Sequence, residues 1–243
     1  MNEIESKILE KNSFYNLEFD EKEHKYSIIL DGSKIILPSV TTLISNYFPF
    51  KAQKIAGIVA EKNWTSKDEV IDFWKSLADV GTHVHEIADR FCKGEKLSIR
   101  EEELMVGLKK FFEEHDYFEI LASEIRLCSP KLNVAGTIDV LVKDKRNGRI
   151  YTIDWKTSKR SISKQEIYGF ALKPFNYLPK GKFFIYSMQV WGYNLILKEE
   201  YGIEVFDSLI VRLLPDSYEV VEPYCMLDDI TELFELENGK NSY

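Results

Sequence analysis

Hydrophobic and polar positions repeat with two different periods along the chain, and each period predicts a type of element. Spacings of three and four over about 68–93 and 99–116 predict helices with one face on a core. Alternation with period two predicts strands at about 119–128, 133–143 and 149–156. Because these three strands are joined by short connections, we expect an antiparallel meander.

The rest of the chain adds further elements on both sides of this meander. Helical patterns follow near 163–172 and 182–200, and two strands are predicted at 203–214 and 217–224, before a short C-terminal helix. The order of elements predicts an α/β fold with a mixed β-sheet flanked by helices.

The N-terminal region predicts a hairpin followed by a helix. Residues 14–37 alternate around Asp31-Gly32, a pair typical of a two-residue hairpin turn. Pro38 ends this ribbon, and Ser39 is placed as the N-cap of a helix. We therefore expect one domain, with an N-terminal hairpin and helical extension over 1–66 and a core over 67–243.

Composition places the chain among ordinary globular proteins. It has 243 residues, 44% of them hydrophobic and 30% charged, and no apolar run approaches the roughly 18 residues needed to cross a bilayer. Cys92, Cys128 and Cys225 lie far apart and are odd in number, which excludes a disulfide framework and a CxxC metal site. We expect a protein of the reducing cytoplasm, without a membrane partner.

The net charge of −8 argues against a protein that coats nucleic acid through bulk electrostatics. It leaves room for a local basic groove. Residues 156–164 hold four basic residues and no acid, and a solvated loop explains this run as well as a binding surface does.

The segment 136–159 carries charged residues where two strands should bury apolar ones. A two-residue turn at Asn147-Gly148 would place Arg146 opposite Arg149 and Asp139 opposite Lys156. Asp154 would then be the diagonal neighbour of Asp139 on the same face, so that both carboxylates and the ammonium converge.

Two carboxylates in a half-buried place repel each other unless a cation balances them, and Mg²⁺ does so with a few carboxylates and waters. Lys156 beside such an ion can hold a water or stabilise charge on phosphorus. A surface salt bridge between Asp139 and Lys156 is the plainer alternative, but the apolar neighbours Ile138, Val140 and Trp155 favour buried strands.

The helical stretch GTHVHEIADRF supplies a fourth group. Gly81 lies on the apolar stripe, which permits a close approach to the sheet, and His85 lies at the edge of that stripe. His85 is either a core histidine or a metal ligand. Asp89, one turn later, is predicted to orient its ring, and His83 faces another direction.

Taken in order, GTHVHEIAD, Glu124, GTID, IDWK and the pair Gln189 and Tyr193 resemble the motif series of RecB-type nucleases in the PD-(D/E)XK superfamily. HKY and LPSVTTLIS near the N-terminus are similar to the segment that precedes the nuclease core in phage-type exonucleases and in the mitochondrial genome maintenance exonuclease. The resemblance covers about residues 20–195, and it implies a PD-(D/E)XK nuclease core within 67–243.

The resemblance also implies roles. His85, Asp139, Asp154 and the carbonyl of Trp155 would bind Mg²⁺ or Mn²⁺, and Lys156 would be the catalytic lysine. The other residues expected to support the site or bind DNA are Glu124, Gln189, Tyr193, Ser39, Thr41, Thr42, Thr157, Lys159 and Arg160.

The sequence departs from the family pattern at three points. Ile138 replaces the proline of the superfamily name, Asp89 replaces the usual glutamate, and the cysteines cannot supply the four ligands of an iron-sulfur cluster. The expected activity is a metal-dependent DNA exonuclease that acts on single strands or free ends in replication, repair or recombination. An inactive nucleic-acid-binding module and a structure-specific endonuclease remain alternatives.

Aromatic residues are dense over 168–193 and alternate with lysines. Bases of a single strand can stack on such rings, and the loop 173–177 is the part predicted to do so. Most of the rings are expected to belong to the core. The hydroxyls of Ser39, Thr41 and Thr42 suit either a phosphate or simple helix capping.

Overall fold

The computed structural model describes residues 2–240. The helices of this part are α1 (Glu3–Phe14), α2 (Val40–Tyr47), α3 (Ala52–Asn63), α4 (Lys67–Cys92), α5 (Ile99–Leu104), α6 (Val106–Glu114), α7 (Lys182–Tyr201) and α8 (Leu227–Lys240). The strands are β1 (Glu18–Asp20), β2 (Lys25–Leu30), β3 (Ser33–Leu37), β4 (Phe118–Ser129), β5 (Val134–Asp144), β6 (Ile150–Lys156), β7 (Asp207–Leu213) and β8 (Tyr218–Val221).

The central sheet has the strand order β4-β5-β6-β7-β8. Its pairs are antiparallel except for β6 and β7, which are parallel. A parallel pair needs a crossover connection, and α7 lies within it. The predicted mixed α/β sheet with flanking helices is confirmed.

The predicted register between β5 and β6 is wrong. Val140 pairs with Ile153, so the paired residue numbers sum to 293 instead of the expected 295. The buried carboxylate of Asp144 causes the difference, because it accepts from the backbone and guanidinium of Arg146 and from the Asn147 amide. These bonds build a four-residue turn over 145–148.

The shift of two positions keeps every side chain on its expected face, because side chains alternate with period two. Arg146 therefore does not face Arg149, and Lys156 is not opposite Asp139. Continuing the observed register beyond the last pair places Asp154 opposite Asp139. The predicted convergence on one face therefore survives, and Asp154 becomes the direct instead of the diagonal neighbour of Asp139.

The N-terminal hairpin forms as predicted. Asp31 and Gly32 both have positive φ, of 50° and 76°, which is the backbone of a type I′ turn, and Leu30 pairs with Ser33. A short strand, β1, adds to the other side of β2. Ser39 caps α2 by accepting the N–H of Thr42 at 3.0 Å.

The segment 163–172 is not a helix, contrary to the prediction. Its backbone instead pairs with the residues that follow, through the bonds Tyr168 N to Lys180 O and Lys180 N to Gly169 O. Gly169 has a φ of 124°, and two prolines, Pro174 and Pro179, interrupt the chain. The φ of Gly169, which lies within the segment, is incompatible with a right-handed helix there.

Helices cover the sheet with two main clusters of buried side chains. One joins β5 and β6 to α4 and α6 through Val140, Trp155 and Phe111, and the other joins β4 and β5 to α1, α2, α7 and α8. The first part of α4 extends beyond the sheet and packs on α3 around Ala56, Ala60 and Val70. No helix within residues 2–240 is both long and apolar enough to span a membrane.

Candidate active site

Three side chains from three elements form a cluster with the spacing of metal ligands. His85 lies on α4, Glu124 on β4 and Asp139 on β5, and one ligand atom from each lies within 4.8 Å of the other two. His85 Nδ1 is 3.3 Å from Asp139 Oδ1 and 3.6 Å from Glu124 Oε1. The structure thus brings together two residues predicted as ligands and Glu124, which the sequence suggested only as support.

The backbone of Glu124 is unusual for a strand. Its φ is 45°, in the left-handed region that residues other than glycine rarely occupy. The ladder between β4 and β5 pairs Ser123 with Val140 and Ile125 with Ile138 but leaves Glu124 unpaired. Strain of this kind persists only where the surroundings hold it, and it directs the Glu124 carboxylate toward His85.

Asp154 and Lys156 lie beside this cluster, Asp154 buried and Lys156 with 14% of its side chain exposed. Asp154 is 3% exposed, and its Oδ2 is 2.7 Å from Lys156 Nζ. This contact is an ion pair, and the charge of Lys156 opposes the effect of burial on the Asp154 carboxylate.

Trp155 links the two acidic residues. Its backbone N–H donates to Asp139 Oδ2 at 2.7 Å, beyond the last backbone pair of β5 and β6. Its side chain points to the other face of the sheet and packs edge-on against Phe111, with ring centroids 5.5 Å apart. The carboxylate of Asp139 is therefore fixed by the strand that carries Asp154.

Gln189 and Tyr193 on α7 complete the surroundings of Asp154. Gln189 Nε2 donates to Asp154 Oδ1 at 3.2 Å and to the Tyr193 hydroxyl at 3.0 Å, while Lys156 Nζ donates to Gln189 Oε1 at 3.5 Å. Tyr193 is held by close contact with Gly136, where an added Cβ would be 2.5 Å from the ring. The predicted i, i+4 pair thus reaches the site, and the glycine of the GTID motif has a packing role.

The electrostatics of the cluster follow from burial and from these contacts. Burial disfavours the imidazolium of His85, but Asp139 and then Glu124 outweigh this and raise its pKa to about 10. Burial raises the pKa of Asp154 to about 6, against the opposing effect of Lys156. Burial acts to raise the pKa of Asp139 as well, yet His85 holds it below its usual value.

This donor set fits a hard divalent cation. One imidazole nitrogen and several carboxylate oxygens are ligands that Mn²⁺ accepts, and Mg²⁺ prefers the carboxylates. Without such an ion, protonated His85 supplies the positive charge that the acidic groups require. The residues that would hold the ion are His85, Glu124 and Asp139, with Asp154 next to them.

The prediction that Asp89 orients the ring of His85 is wrong. Asp89 Oδ1 accepts a hydrogen bond of 2.5 Å from the Ser123 hydroxyl, and Oδ2 is 2.7 Å from Lys93 Nζ. The imidazole Nδ1 instead faces Glu124 and Asp139. Asp89 lies one helical turn after His85, as the prediction required. Its carboxylate accepts a hydrogen bond from Ser123 on β4, which is distant in the chain, instead of from the imidazole.

The expected close approach of α4 to the sheet occurs at Gly81. A Cβ at this position would be 3.3 Å from Thr157 Oγ1, so α4 lies against the end of β6. Lys159 follows in the basic loop and holds its ammonium 5.2 Å from the ring centroid of Phe73 on α4. Arg160 is exposed. The loop is anchored by Arg212, which donates to the carbonyls of Ser158 and Lys159.

The hydroxyls of the SVTT segment hydrogen-bond to one another. Ser39 Oγ is 2.9 Å from Thr41 Oγ1 and 2.8 Å from Thr42 Oγ1, besides capping α2. This is the capping alternative that the sequence left open, and both threonines remain exposed.

The aromatic residues of 168–193 divide into two groups. Tyr168, Phe170 and Tyr177 are exposed, whereas Phe175 and Phe183 are buried. Phe175 packs edge-on against Tyr47, so this ring of the predicted stacking loop cannot meet a base. The expectation that most of these rings belong to the core holds for part of the segment.

Two residues near the site, Tyr186 and Arg212, were not among the predicted site residues. The ring of Tyr186, one turn before Gln189, has its centroid 4.6 Å from Lys156 Nζ. Arg212 is buried, and its guanidinium donates to both oxygens of Glu219. Tyr186 could have been found from its i, i+3 spacing to Gln189 once that residue was placed at the site.

Comparison with known proteins finds a matching family model and a solved structure with limited similarity. The family model of the PD-(D/E)XK nuclease superfamily matches residues 94–215, half of the chain. The matched region contains Glu124, Asp139, Asp154 and Lys156, and it begins after His85. No curated protein matches the chain. Among solved structures, "Crystal structure of SSO0001" has 14% sequence identity and a TM-score of 0.37, with 95% of this chain and 83% of that chain covered.

The matched region carries the acidic residues and the lysine of the candidate site. It spans β4 to β7 and α7, which is the sheet that positions the site. The chain therefore belongs to the PD-(D/E)XK nuclease superfamily.

Proposed function

We propose that the protein is a Mg²⁺- or Mn²⁺-dependent DNA exonuclease of the RecB type that hydrolyses phosphodiester bonds. The observation that carries the proposal is the convergence of His85, Glu124 and Asp139 beside the ion pair of Asp154 and Lys156. A binding module has no use for buried carboxylates that repel one another, which is the reason to prefer an enzyme.

His85, Glu124, Asp139 and Asp154, with the Trp155 carbonyl, would hold the ion. A bound divalent ion would polarise the scissile phosphate and lower the pKa of a water ligand. Lys156 would orient the attacking water and stabilise the negative charge that develops on the phosphate oxygens. For this task its ammonium is held by Asp154, Gln189 and the face of Tyr186.

Gln189 fixes the carboxylate of Asp154 by donating to Oδ1, which leaves Oδ2 for Lys156 and the ion. Tyr193 accepts from the same amide and fixes its orientation. These two residues therefore position the acidic group without touching the reacting atoms.

The proposed substrate is single-stranded DNA or a free DNA end. Exposed rings of Tyr168 and Phe170, together with Phe73 beneath the ammonium of Lys159, combine aromatic faces with positive charge. Sequence-independent binding of a single strand uses this combination. A role in replication, repair or recombination is the biological setting that such an activity would serve.

The test uses labelled DNA with and without Mg²⁺ or Mn²⁺. Degradation should require the ion, and Lys156→Ala or Asp154→Ala should abolish it. Lys145→Ala, on the exposed turn of the same hairpin, is the matched control and should keep full activity. Unchanged hydrolysis in the Lys156 or Asp154 variant would refute the proposed nuclease site.

Substrate form separates exonuclease from endonuclease. Linear single strands and duplexes labelled at either end should release short products from an end, whereas closed circular DNA should stay intact. Cleavage of the circle at the same rate would replace the exonuclease proposal by an endonuclease. Loss of affinity for single strands in Phe170→Ala, with unchanged kcat, would support the stacking surface.

A further inference from the structure

Two contacts join α4 to β4 at successive levels. At the first level His85 Nδ1 is 3.6 Å from Glu124 Oε1, and at the second the Ser123 hydroxyl donates to Asp89 Oδ1 at 2.5 Å. Asp89 follows His85 by about one helical turn, roughly 6 Å along the axis. Ser123 directly precedes Glu124, so the second contact adjoins the candidate ligands on both elements.

The contact between Ser123 and Asp89 is a formed hydrogen bond, whereas His85 and Glu124 are too far apart for one. The Ser123 hydroxyl bonds directly to a carboxylate, and such bonds are short and strong. Lys93 holds the other oxygen of Asp89 at 2.7 Å, which restrains the carboxylate and balances its charge. At 3.6 Å the pair of His85 and Glu124 is too far apart for a good hydrogen bond, and it faces Asp139.

Glu124 depends on such a restraint. Its φ of 45° is unfavourable, and its own backbone takes no part in the ladder of β4 and β5. A strained residue keeps its conformation only if the neighbouring structure determines it. The bond from Ser123 to α4 is a side-chain restraint on the residue immediately before the strained one.

We propose that Ser123 and Asp89 are positioning residues that set the distance between Glu124 and His85 for a divalent cation. The inference rests on the proposed function, since it requires that these ligands bind such an ion. Neither residue touches the ion; the bond between them fixes the spacing of the two elements that carry the ligands.

The experiment measures Mn²⁺ affinity by calorimetry and thermal stability in the same full-length variants. Ser123→Ala should weaken Mn²⁺ binding about 10- to 100-fold, the range typical when a partner that orients ligands is lost. Ser123→Thr keeps the hydroxyl and should restore most of the affinity. Asp89→Asn keeps an acceptor for that hydroxyl and should bind far better than Asp89→Ala.

Ser129→Ala is the matched control. Ser129 lies on the same strand and also donates to a helix carboxylate, Glu200 Oε2, at 2.9 Å. It lies six positions along β4 from Ser123 and contacts none of the candidate ligands through that bond. Its loss should lower thermal stability and leave the Mn²⁺ affinity unchanged.

Each outcome decides between the alternatives. Equal Mn²⁺ affinity in the wild-type protein and Ser123→Ala would overturn the positioning role and leave the proposed function standing. Equal weakening in Ser129→Ala would also overturn it, because the effect would then reflect general loss of stability. Absence of Mn²⁺ binding by the wild-type protein would remove the proposed function and this inference together.

Discussion

Replacing Gly136 by alanine tests how the packing of one glycine supports the site. The backbone of Gly136 lies in a regular strand, and a Cβ there would be 2.5 Å from Cε1 and 3.1 Å from Cδ1 of Tyr193. Tyr193 is buried, and its hydroxyl accepts from Gln189, which in turn donates to Asp154. The methyl group should therefore push the ring and loosen the hydrogen bonds behind it.

The structure gives the size of the effect. Ordinary carbon contacts lie near 3.5–4 Å, so the ring must move by about 1 Å. Overpacking of this kind costs about 1–3 kcal/mol, while the smaller conformational freedom of alanine in the unfolded chain returns about 0.4–1 kcal/mol. We expect a net loss of stability of about 1–2 kcal/mol and a fall in kcat of about 10- to 100-fold, because Gln189 no longer fixes Asp154.

The assay is a double-mutant cycle measured by urea denaturation and by initial rates on labelled DNA. Gly136→Ala is compared in the wild-type background and in Tyr193→Leu, where the shorter side chain leaves room for the methyl group. Gly57→Ala is the control, since a Cβ at Gly57 meets no atom within 4 Å. That substitution in helix α3 should stabilise by about 0.5–1 kcal/mol.

We expect a coupling energy of at least about 1 kcal/mol between the two positions. An equal loss of stability from Gly136→Ala in both backgrounds would refute it, because the cost would then not arise at Tyr193. A stable Gly136→Ala protein with full activity would refute the link from Tyr193 through Gln189 to the site.

Three further predictions concern the buried charges. Lys156→Ala leaves the carboxylate of Asp154 without its cation and should destabilise the protein by about 3 kcal/mol at pH 8. The loss should be smaller at pH 5, because burial raises the pKa of Asp154 to about 6 and the group is then mostly protonated. Equal losses in urea denaturation at both pH values would contradict this. The folded pKa of His85, about 10, lies above its ordinary value of 6.5, so its contribution to stability is complete below pH 6.5 and is lost as the pH rises toward 10. In metal-free buffer the unfolding free energy of His85→Gln should therefore fall less than that of the wild type between pH 7 and 10, and parallel curves would exclude the effect. Tyr186→Leu should lower kcat roughly tenfold with little change in KM, whereas Tyr186→Phe keeps the ring face over Lys156 and should retain activity. Equal rates in both variants would show that this ring does not support catalysis.

The periodic parts of the sequence predicted the elements well, because apolar spacing reports which face of an element is buried. The three central strands, the long helix α4 and the helix α7 lie within a few residues of their expected ranges. The helix predicted over 163–172 does not form, because this segment is a loop held by backbone hydrogen bonds to 178–180. The spacing of its apolar residues alone does not distinguish that loop from a helix.

The candidate site was likewise predicted in part from the sequence. The order of the motifs predicted His85, Asp139, Asp154 and Lys156 as site residues, and period-two alternation placed the last three on one face even though the turn was wrong. The error of two residues came from Asp144, whose side chain builds the turn. An error of one residue would have reversed the face and lost the site.

The sequence by itself therefore determined the class of fold and the family and predicted the chemical groups of the candidate site, since these depend on local periodicity and on the order of residue types. Only the tertiary structure decided that Glu124 joins His85 and Asp139, that Asp89 bonds to Ser123, and that Tyr186 covers Lys156. Each of these contacts joins elements far apart in the chain or depends on how α7 is rotated against the sheet. Such contacts are set by the packing of whole elements, which no local pattern contains.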